Sequence, residues 1–268
     1  MTDIRSHFGF TTTPFTPEIP VQRRFPHPLF DERLDELETT VTDRMCAAVI
    51  APAGTGKTML LRTLTSRLPE ARYRCHYVKT TSVGKRDMCR EICSALGLEP
   101  AGQYNALVRR IQDRLLDHVD TSGTRPVIIV DDAHEMRPEV LATLKCLCNF
   151  EMDSRLVVSF VLLGNKTLAK MLGRDTLEDV ARRIALYATL RNLTRDETRA
   201  YVIHRQSVAG TKTDLFTDSA HDAVYEIGGG NLRATDRLCL KALQLAALDD
   251  SAAVDASHVT AARQRLWP

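Results

Sequence analysis

Short apolar runs recur along the first two thirds of the chain, and between them apolar residues return every three or four positions. Val127-Ile128-Ile129-Val130 and Val157-Val158-Ser159-Phe160-Val161-Leu162-Leu163 are nearly continuous, the pattern of strands buried on both faces. Cys46-Ala47-Ala48-Val49-Ile50 has the same strand-like composition. With two further segments they predict strands near 47–50, 73–79, 127–131, 157–163 and 185–190, separated by helices. Such alternation argues an α/β fold built on a parallel, helix-covered sheet. Leu34, Leu37 and Val41 share one face of a helix expected from Asp31 to Asp43.

Past about residue 192 the strand signals stop. Thr194 and Glu197 form a capping box, and helices are expected near 195–208, 218–227, 232–248 and 256–266. The chain therefore divides into an extended arm (1–30), an α/β domain (31–191) and a small all-helical domain (192–268). Pro14, Pro17, Pro20, Pro26 and Pro28 argue against regular helix in the arm, while Phe8, Phe10, Phe15, Phe25 and Phe30 give it apolar anchors. Those anchors pack on the chain's own domain or reach a neighbouring subunit.

Two segments carry candidate chemistry. Ala51-Pro52-Ala53-Gly54-Thr55-Gly56-Lys57-Thr58 lies between the first strand and a helix that starts near Gly56, the context a phosphate-binding loop requires. Gly54 and Gly56 let several backbone N–H groups point at one anion, and the helix adds its positive end. Pro52 through Met59 are the expected nucleotide contacts. Lys57, its ammonium facing solvent until phosphate arrives, would reach the β- and γ-phosphates, and the Thr58 hydroxyl would hold Mg²⁺. The second segment, Asp131-Asp132-Ala133-His134, ends the third strand. Asp131 is the expected second anchor of Mg²⁺, mostly through water, and Asp132 the group that orients or deprotonates an attacking water. A helix cap ahead of Pro138 is the plainer alternative for these carboxylates.

Composition narrows the class. The 268 residues are 44% hydrophobic with a formal net charge of +2, which fits a soluble globular protein without a strongly polyanion-binding surface overall. The N-terminus lacks a secretory leader and no stretch approaches a membrane span, so a cytoplasmic protein with reduced core thiols is expected. The seven cysteines lack the two suitably spaced pairs of a zinc site.

Three further positions gain candidate roles. Asn165, after the fourth strand, could touch the attacking water or a γ-phosphate, or simply cap a turn. Arg182-Arg183, before the last strand, could reach a neighbour's nucleotide, or form a solvated basic pair. Arg233, opening a helix after Gly228-Gly229-Gly230-Asn231, could grip the γ-phosphate.

Phosphate loop, acidic strand end, polar strand end, late arginine pair and lid arginine, in that order, resemble the parts of AAA+ ATPases. Phe8-Gly9-Phe10, Pro14-Phe15, Leu144 to Phe150, Gly164-Asn165, Leu193 to Tyr201 and Gly229-Gly230-Asn231-Leu232-Arg233 extend the resemblance to the ExeA-like branch. That branch includes secretion ATPases of the ExeA type and the transposition regulators TnsC, TniB and the phage Mu B protein. The resemblance implies an AAA+ P-loop fold with sheet order 5-1-4-3-2 and a helical lid, ATP with Mg²⁺ as cofactors, and ATP-dependent rings or filaments. It also implies roles for Asn165 as sensor 1, Arg183 as arginine finger and Arg233 as sensor 2. Ala51 and Asp132 depart from the family pattern, where Gly and Glu are usual. The shorter acid implies slow hydrolysis.

The membrane span and periplasmic region of the full secretion ATPases do not follow before Pro268. The expectation is therefore a regulator of DNA transposition that binds duplex DNA and recruits a transposase, with a target-selection adaptor as a further partner. Lys79, Thr80, Thr81, Lys85 and Arg86 are the candidate DNA contacts, because backbone-directed Lys and Thr suit sequence-independent binding. A secretion-assembly ATPase and a helicase-loader-like adaptor are the alternatives.

Overall fold

Five strands, β1 (Cys46–Ile50), β2 (Tyr73–Lys79), β3 (Arg125–Asp131), β4 (Ser159–Gly164) and β5 (Ile184–Thr189), form one sheet in the order β2-β3-β4-β1-β5. All neighbouring pairs are parallel. From the other edge the order is 5-1-4-3-2, as the family resemblance implies. The structure, a computed structural model, describes residues 3–79 and 84–266. In chain order the helices are α1 (Ile4–Phe8), α2 (Pro28–Thr42), α3 (Lys57–Arg67), α4 (Lys85–Ala95), α5 (Tyr104–Asp120), α6 (Pro138–Leu141) and α7 (Thr143–Cys148). They continue with α8 (Lys166–Leu172), α9 (Glu178–Ala181), α10 (Arg195–Val208), α11 (Asp218–Gly228), α12 (Leu232–Leu248) and α13 (Ala256–Leu266). No helix among the described residues is long and apolar enough to cross a membrane.

The period of two within each strand divides the core into two layers. Ala48, Ile50, Ile128, Val130, Phe160 and Leu162 face the layer that holds Met88, Cys89 and Ile92 of α4 and Leu107, Ile111 and Leu115 of α5. Ala47, Val49, Val127, Ile129, Val161 and Leu163 face Leu34, Leu37 and Val41 of α2 and Leu60, Leu61 and Leu64 of α3. Every residue of β1 and β4 is buried, which is why their runs are almost wholly apolar, with the buried Ser159 as the exception. The edge strands β2 and β5 expose part of each face, and their sequences are mixed. Phe160, among the largest fully buried side chains, sits in the middle of this packing. Its truncation to Ala would cost about 3–5 kcal/mol.

Contacts divide the chain into two compact units. One comprises residues 28–53 and 57–190, the sheet and its helices. The other joins residues 191–268 to residues 1–27 and to the loop tip Gly54–Gly56. In this helical unit Phe10 and Phe15 are buried among Val202, Phe216, Leu238 and Leu243, so the N-terminal anchors pack on their own chain. The Arg205 guanidinium, 3% exposed, donates to the Tyr201 hydroxyl at 2.8 Å, the Asp236 carboxylate at 3.0 Å and the Thr16 carbonyl at 2.7 Å. The N-terminal segment is not extended throughout. Ile4–Phe8 is helical, capped by the Asp3 side chain and closed by Gly9 at φ 72°. The helix expected from Asp31 starts at Pro28 instead, because proline's fixed φ and missing N–H suit a first helical turn.

Candidate nucleotide site

The loop after β1 is held at its root and curled at its tip. The Ala51 N–H donates to the Gly164 carbonyl at 2.9 Å, and the Ala51 methyl is buried beside the α2 and α3 side chains. Ala51 keeps an ordinary negative φ, so the glycine usual at this position is not required by the backbone. Gly54 and Gly56 do need their freedom, at φ 79° and 99°. α3 begins at Lys57, so its first N–H groups open into the loop. The Lys57 ammonium does not face solvent as the sequence suggested. It folds back to donate to the carbonyls of Ala51 at 3.0 Å and Pro52 at 2.9 Å. An ammonium in a turn of backbone carbonyls finds there the hydrogen bonds that phosphate oxygens would otherwise supply. Thr58 is exposed and Met59 half-buried.

Asp131 closes β3, with β4 between it and β1. Two strand spacings put its backbone about 10 Å from the β1 end. It has the parity of Val127 and Ile129, which face α3, so its side chain leaves the sheet on the side of Lys57 and Thr58. One carboxylate oxygen accepts from the Asp132 N–H at 2.9 Å and the other from the Tyr77 hydroxyl at 2.8 Å. Burial, and after it the Asp131 carboxylate, pushes the Tyr77 hydroxyl up to about 12, so it remains a donor. Asp132 is left-handed, at φ 52° and ψ 33°, a conformation Asp tolerates better than most residues. It leads into a 3₁₀ turn, Ala133–Glu135, and makes no capping bond; Arg137 precedes α6. The cap alternative for Asp132 is therefore not what forms. Its carboxylate lies 4.0 Å from His134 Nδ1, and His134 Nε2 lies 3.2 Å from Glu135.

Asn165 follows β4 and caps α8, its Oδ1 accepting from the Thr167 N–H at 2.7 Å. The cap reading is the one this geometry realises, and any contact with phosphate or water falls to the amide Nδ2. In the helical unit, Asn231 caps α12 through the Ala234 N–H, and the Arg233 N–H donates to the Gly54 carbonyl at 3.2 Å. A Cβ on Gly54 would come within 2.5 Å of Asn231 Oδ1 and 2.9 Å of the Arg233 Cβ. No side chain fits there, and the glycine is required on steric as well as conformational grounds.

Arg183 stands apart from these groups. It precedes Ile184, whose partner is Cys46, the first residue of β1, whereas the phosphate loop follows the last. The length of β1 separates the two by about 16 Å. Its guanidinium donates to Asp153 at 2.6 Å and holds that carboxyl below its usual range. Asp153 ends a left-handed run of Glu151, Met152 and Asp153 at φ 49°, 57° and 66°. Arg182, the other half of the pair, is bonded to Glu178 one turn back.

Lys79, Lys85 and Arg86 are exposed at the end of β2 and the start of α4, and Arg86 Nε donates to the Gly102 carbonyl at 3.0 Å. Thr80 and Thr81 lie outside the described residues. Tyr77 and Asp153 escaped the sequence reading. Once β2 is known to border β3, Tyr77 falls level with Ile129, two positions short of Asp131, and the contact could have been found.

The groups fit a magnesium nucleotide: two left-handed glycines in a loop that opens a helix, a lysine and a hydroxyl in its first turn, and a carboxylate emerging on the same face of the sheet. Residues 40–172, about half the chain, match a family described as the AAA domain. The chain is 34% identical over 193 residues to the general secretion pathway protein A of Aeromonas hydrophila. That match covers 71% of this chain and 35% of the relative, so the chain spans about a third of that protein. Among solved structures, Cdc6p of Pyrobaculum aerophilum superposes with a TM-score of 0.71 at 17% identity, over 94% of this chain and 70% of that one. The Aeropyrum pernix ORC1 protein, solved in complex with DNA, gives 0.68 at 18% identity over 94% and 68%. The RuvB Holliday junction branch migration motor of Thermotoga maritima gives 0.61 at 16% identity over 92% and 74%. At these identities the solved structures speak for the fold alone. The AAA domain implies binding of ATP with Mg²⁺, and self-association is typical of such proteins. Sheet order, helical lid, phosphate loop and family match together identify the chain as an AAA+ P-loop ATPase, similar in sequence to general secretion pathway protein A.

Proposed function

We propose that this chain is the ATPase engine of a secretion-assembly system, acting as an oligomer whose subunits share their nucleotide sites. The observation that carries this reading is the 34% identity, over 71% of the chain, to general secretion pathway protein A. The expectation of a transposition regulator leaned on where the chain ends. A chain that spans 35% of its relative gives that argument no force.

In this reading Lys57 exchanges its two carbonyl partners for the β- and γ-phosphates, and the loop N–H groups from Ala53 to Met59 wrap the phosphate chain. Thr58 and Asp131 hold Mg²⁺, which when bound offsets the charge of the phosphate oxygens. Asp132 takes the proton of the attacking water, and its short side chain keeps hydrolysis slow. Asn165 Nδ2 and Arg233 sense the γ-phosphate. Arg183 leaves Asp153 to stabilise transition-state charge on a neighbour's nucleotide.

A second reading, the DNA-binding transposition regulator that recruits a transposase, keeps one specific support: Lys79, Lys85 and Arg86 are exposed around one strand end. Light scattering with ATP and Mg²⁺, with and without duplex DNA, separates the two. The secretion reading expects ATP-dependent assembly and hydrolysis that are indifferent to DNA. Salt-sensitive retention of duplex DNA that raises assembly several-fold, and is lost when Lys79, Lys85 and Arg86 are replaced together, would overturn it in favour of the DNA reading.

A further inference from the structure

Tyr77 is one of two exposed tyrosines on the edge strands, with Tyr187 on β5. It lies on the edge strand β2 and is 52% exposed, so its ring gains little from burial. The other tyrosine on the same strand and face, Tyr73, is buried in the layer under α2 and α3. Tyr77 is level with Ile129 on β3, and Lys79 is level with Asp131. Its side chain therefore reaches diagonally forward, two positions along the neighbouring strand, a span of about 7–8 Å that an aromatic side chain covers. Its hydroxyl arrives at the Asp131 carboxylate at 2.8 Å.

The carboxylate is held at both ends. Asp132, turned into the left-handed region, delivers its N–H to Oδ1 at 2.9 Å, and Tyr77 delivers its hydroxyl to Oδ2. One donor on each oxygen fixes the carboxylate plane, which a terminal torsion otherwise leaves free. A carboxylate offers about four acceptor positions, and these two donors fix how it is turned on the face of the sheet that α3 covers. Partners that orient a metal-binding carboxylate are commonly as consequential as the ligand itself.

We propose that Tyr77 is a positioning residue for the magnesium site: its hydroxyl sets the orientation in which Asp131 meets the ion's water shell. The inference rests on the reading of Asp131 as a magnesium anchor, and the experiment tests the two separately. The readout is binding, not turnover. A fluorescent ATP analogue is titrated into the full chain at a series of buffered Mg²⁺ concentrations, and again in EDTA.

For Tyr77→Phe, which keeps the ring and removes only the donor, the Mg²⁺ concentration that half-maximally tightens nucleotide binding rises about tenfold. Affinity in EDTA stays at the parental value. Tyr73→Phe is the control, since the Tyr73 hydroxyl lies 3.4 Å from Thr42 and away from the site; it shifts neither quantity. Asp131→Asn raises the Mg²⁺ requirement by itself, and adding Tyr77→Phe to it produces no further change, because the two act through one carboxylate. A Tyr77→Phe protein whose Mg²⁺ requirement stays within twofold of the parent, or whose affinity falls equally in EDTA, overturns the positioning role. If Asp131→Asn leaves the Mg²⁺ requirement untouched, the reading of the site itself fails, and the Tyr77 proposal with it.

Discussion

The two ends of the sheet are built from the same strands and have opposite characters. At the carboxyl end, Lys57, Asp131, Asp132 and Asn165 lie at or just past the ends of three neighbouring strands. At the amino end, Arg183 and Asp153 form one ion pair at 2.6 Å beside the first residues of β1 and β5. What the ends share is that Lys57, Asp131, Asn165 and Arg183 each already have a hydrogen-bonded partner in their own chain. Lys57 bonds two carbonyls, Asp131 a tyrosine hydroxyl, Asn165 the start of α8, and Arg183 an aspartate. What separates them is reach. In the proposed mechanism the carboxyl-end groups exchange partners around one nucleotide, whereas Arg183 meets a nucleotide only if a second copy brings it. In the proposed mechanism, one end of the sheet is a site and the other is the missing piece of a neighbour's site.

Lys57→Ala should have the largest effect. Removing the ammonium takes away charge-assisted hydrogen bonds to phosphate, so the Kd for ATP rises about 100-fold or more by calorimetry while the protein stays folded. Parental affinity in this variant would remove the loop from the account. Asp132→Asn should separate binding from chemistry. The isosteric amide cannot take a proton, so single-turnover hydrolysis falls about 100-fold while ATP affinity changes by less than about threefold. Unchanged hydrolysis would transfer the role to another carboxylate, with Glu135 next in line.

Those two variants rest on residues that are legible in the sequence alone. The strands β1, β3 and β4 were legible because burial on both faces leaves almost no polar position inside the run to blur it. The loop and the Asp131-Asp132 pair were legible because their spacing is local. The groups that hold the site were not. Tyr77 lies 54 positions from Asp131 and Asp153 lies 30 from Arg183, so only strand order and chain folding bring them together. The left-handed turn at Asp132 was hidden for another reason: nothing in an Asp-Asp-Ala-His run requires a positive φ. Pro28 was misread through being counted with the arm, when its missing N–H suits the first turn of α2.

The smallest effect is expected away from the sheet and sharpens the contrast by leaving both ends intact. The Arg191 guanidinium, together with the Thr194 N–H and His27, holds the Glu197 carboxyl far below its usual range against the opposing effect of burial. A depressed carboxyl stabilises the fold above its unfolded value of about 4.3, and that stability is lost as pH falls below it. Glu197→Gln should therefore lower Tm by about 2–4 °C at pH 7 and flatten the acid limb below about pH 4, with Arg191 about half exposed and limiting the gain. A parallel loss of Tm at pH 7 and pH 3 would show that shape, not charge, is what Glu197 contributes.

The most direct test of the account is a mixing experiment between the two ends. Arg183→Ala protein has an intact loop and no finger; Lys57→Ala protein has an intact finger and cannot hold ATP. Alone, each should hydrolyse ATP poorly. Mixed over a range of ratios at a concentration where the parent assembles, they should recover part of the parental rate, because Arg183 of one subunit completes the site of the other. A rate that never exceeds the sum of the separate variants would contradict the account and place Arg183 outside the shared site.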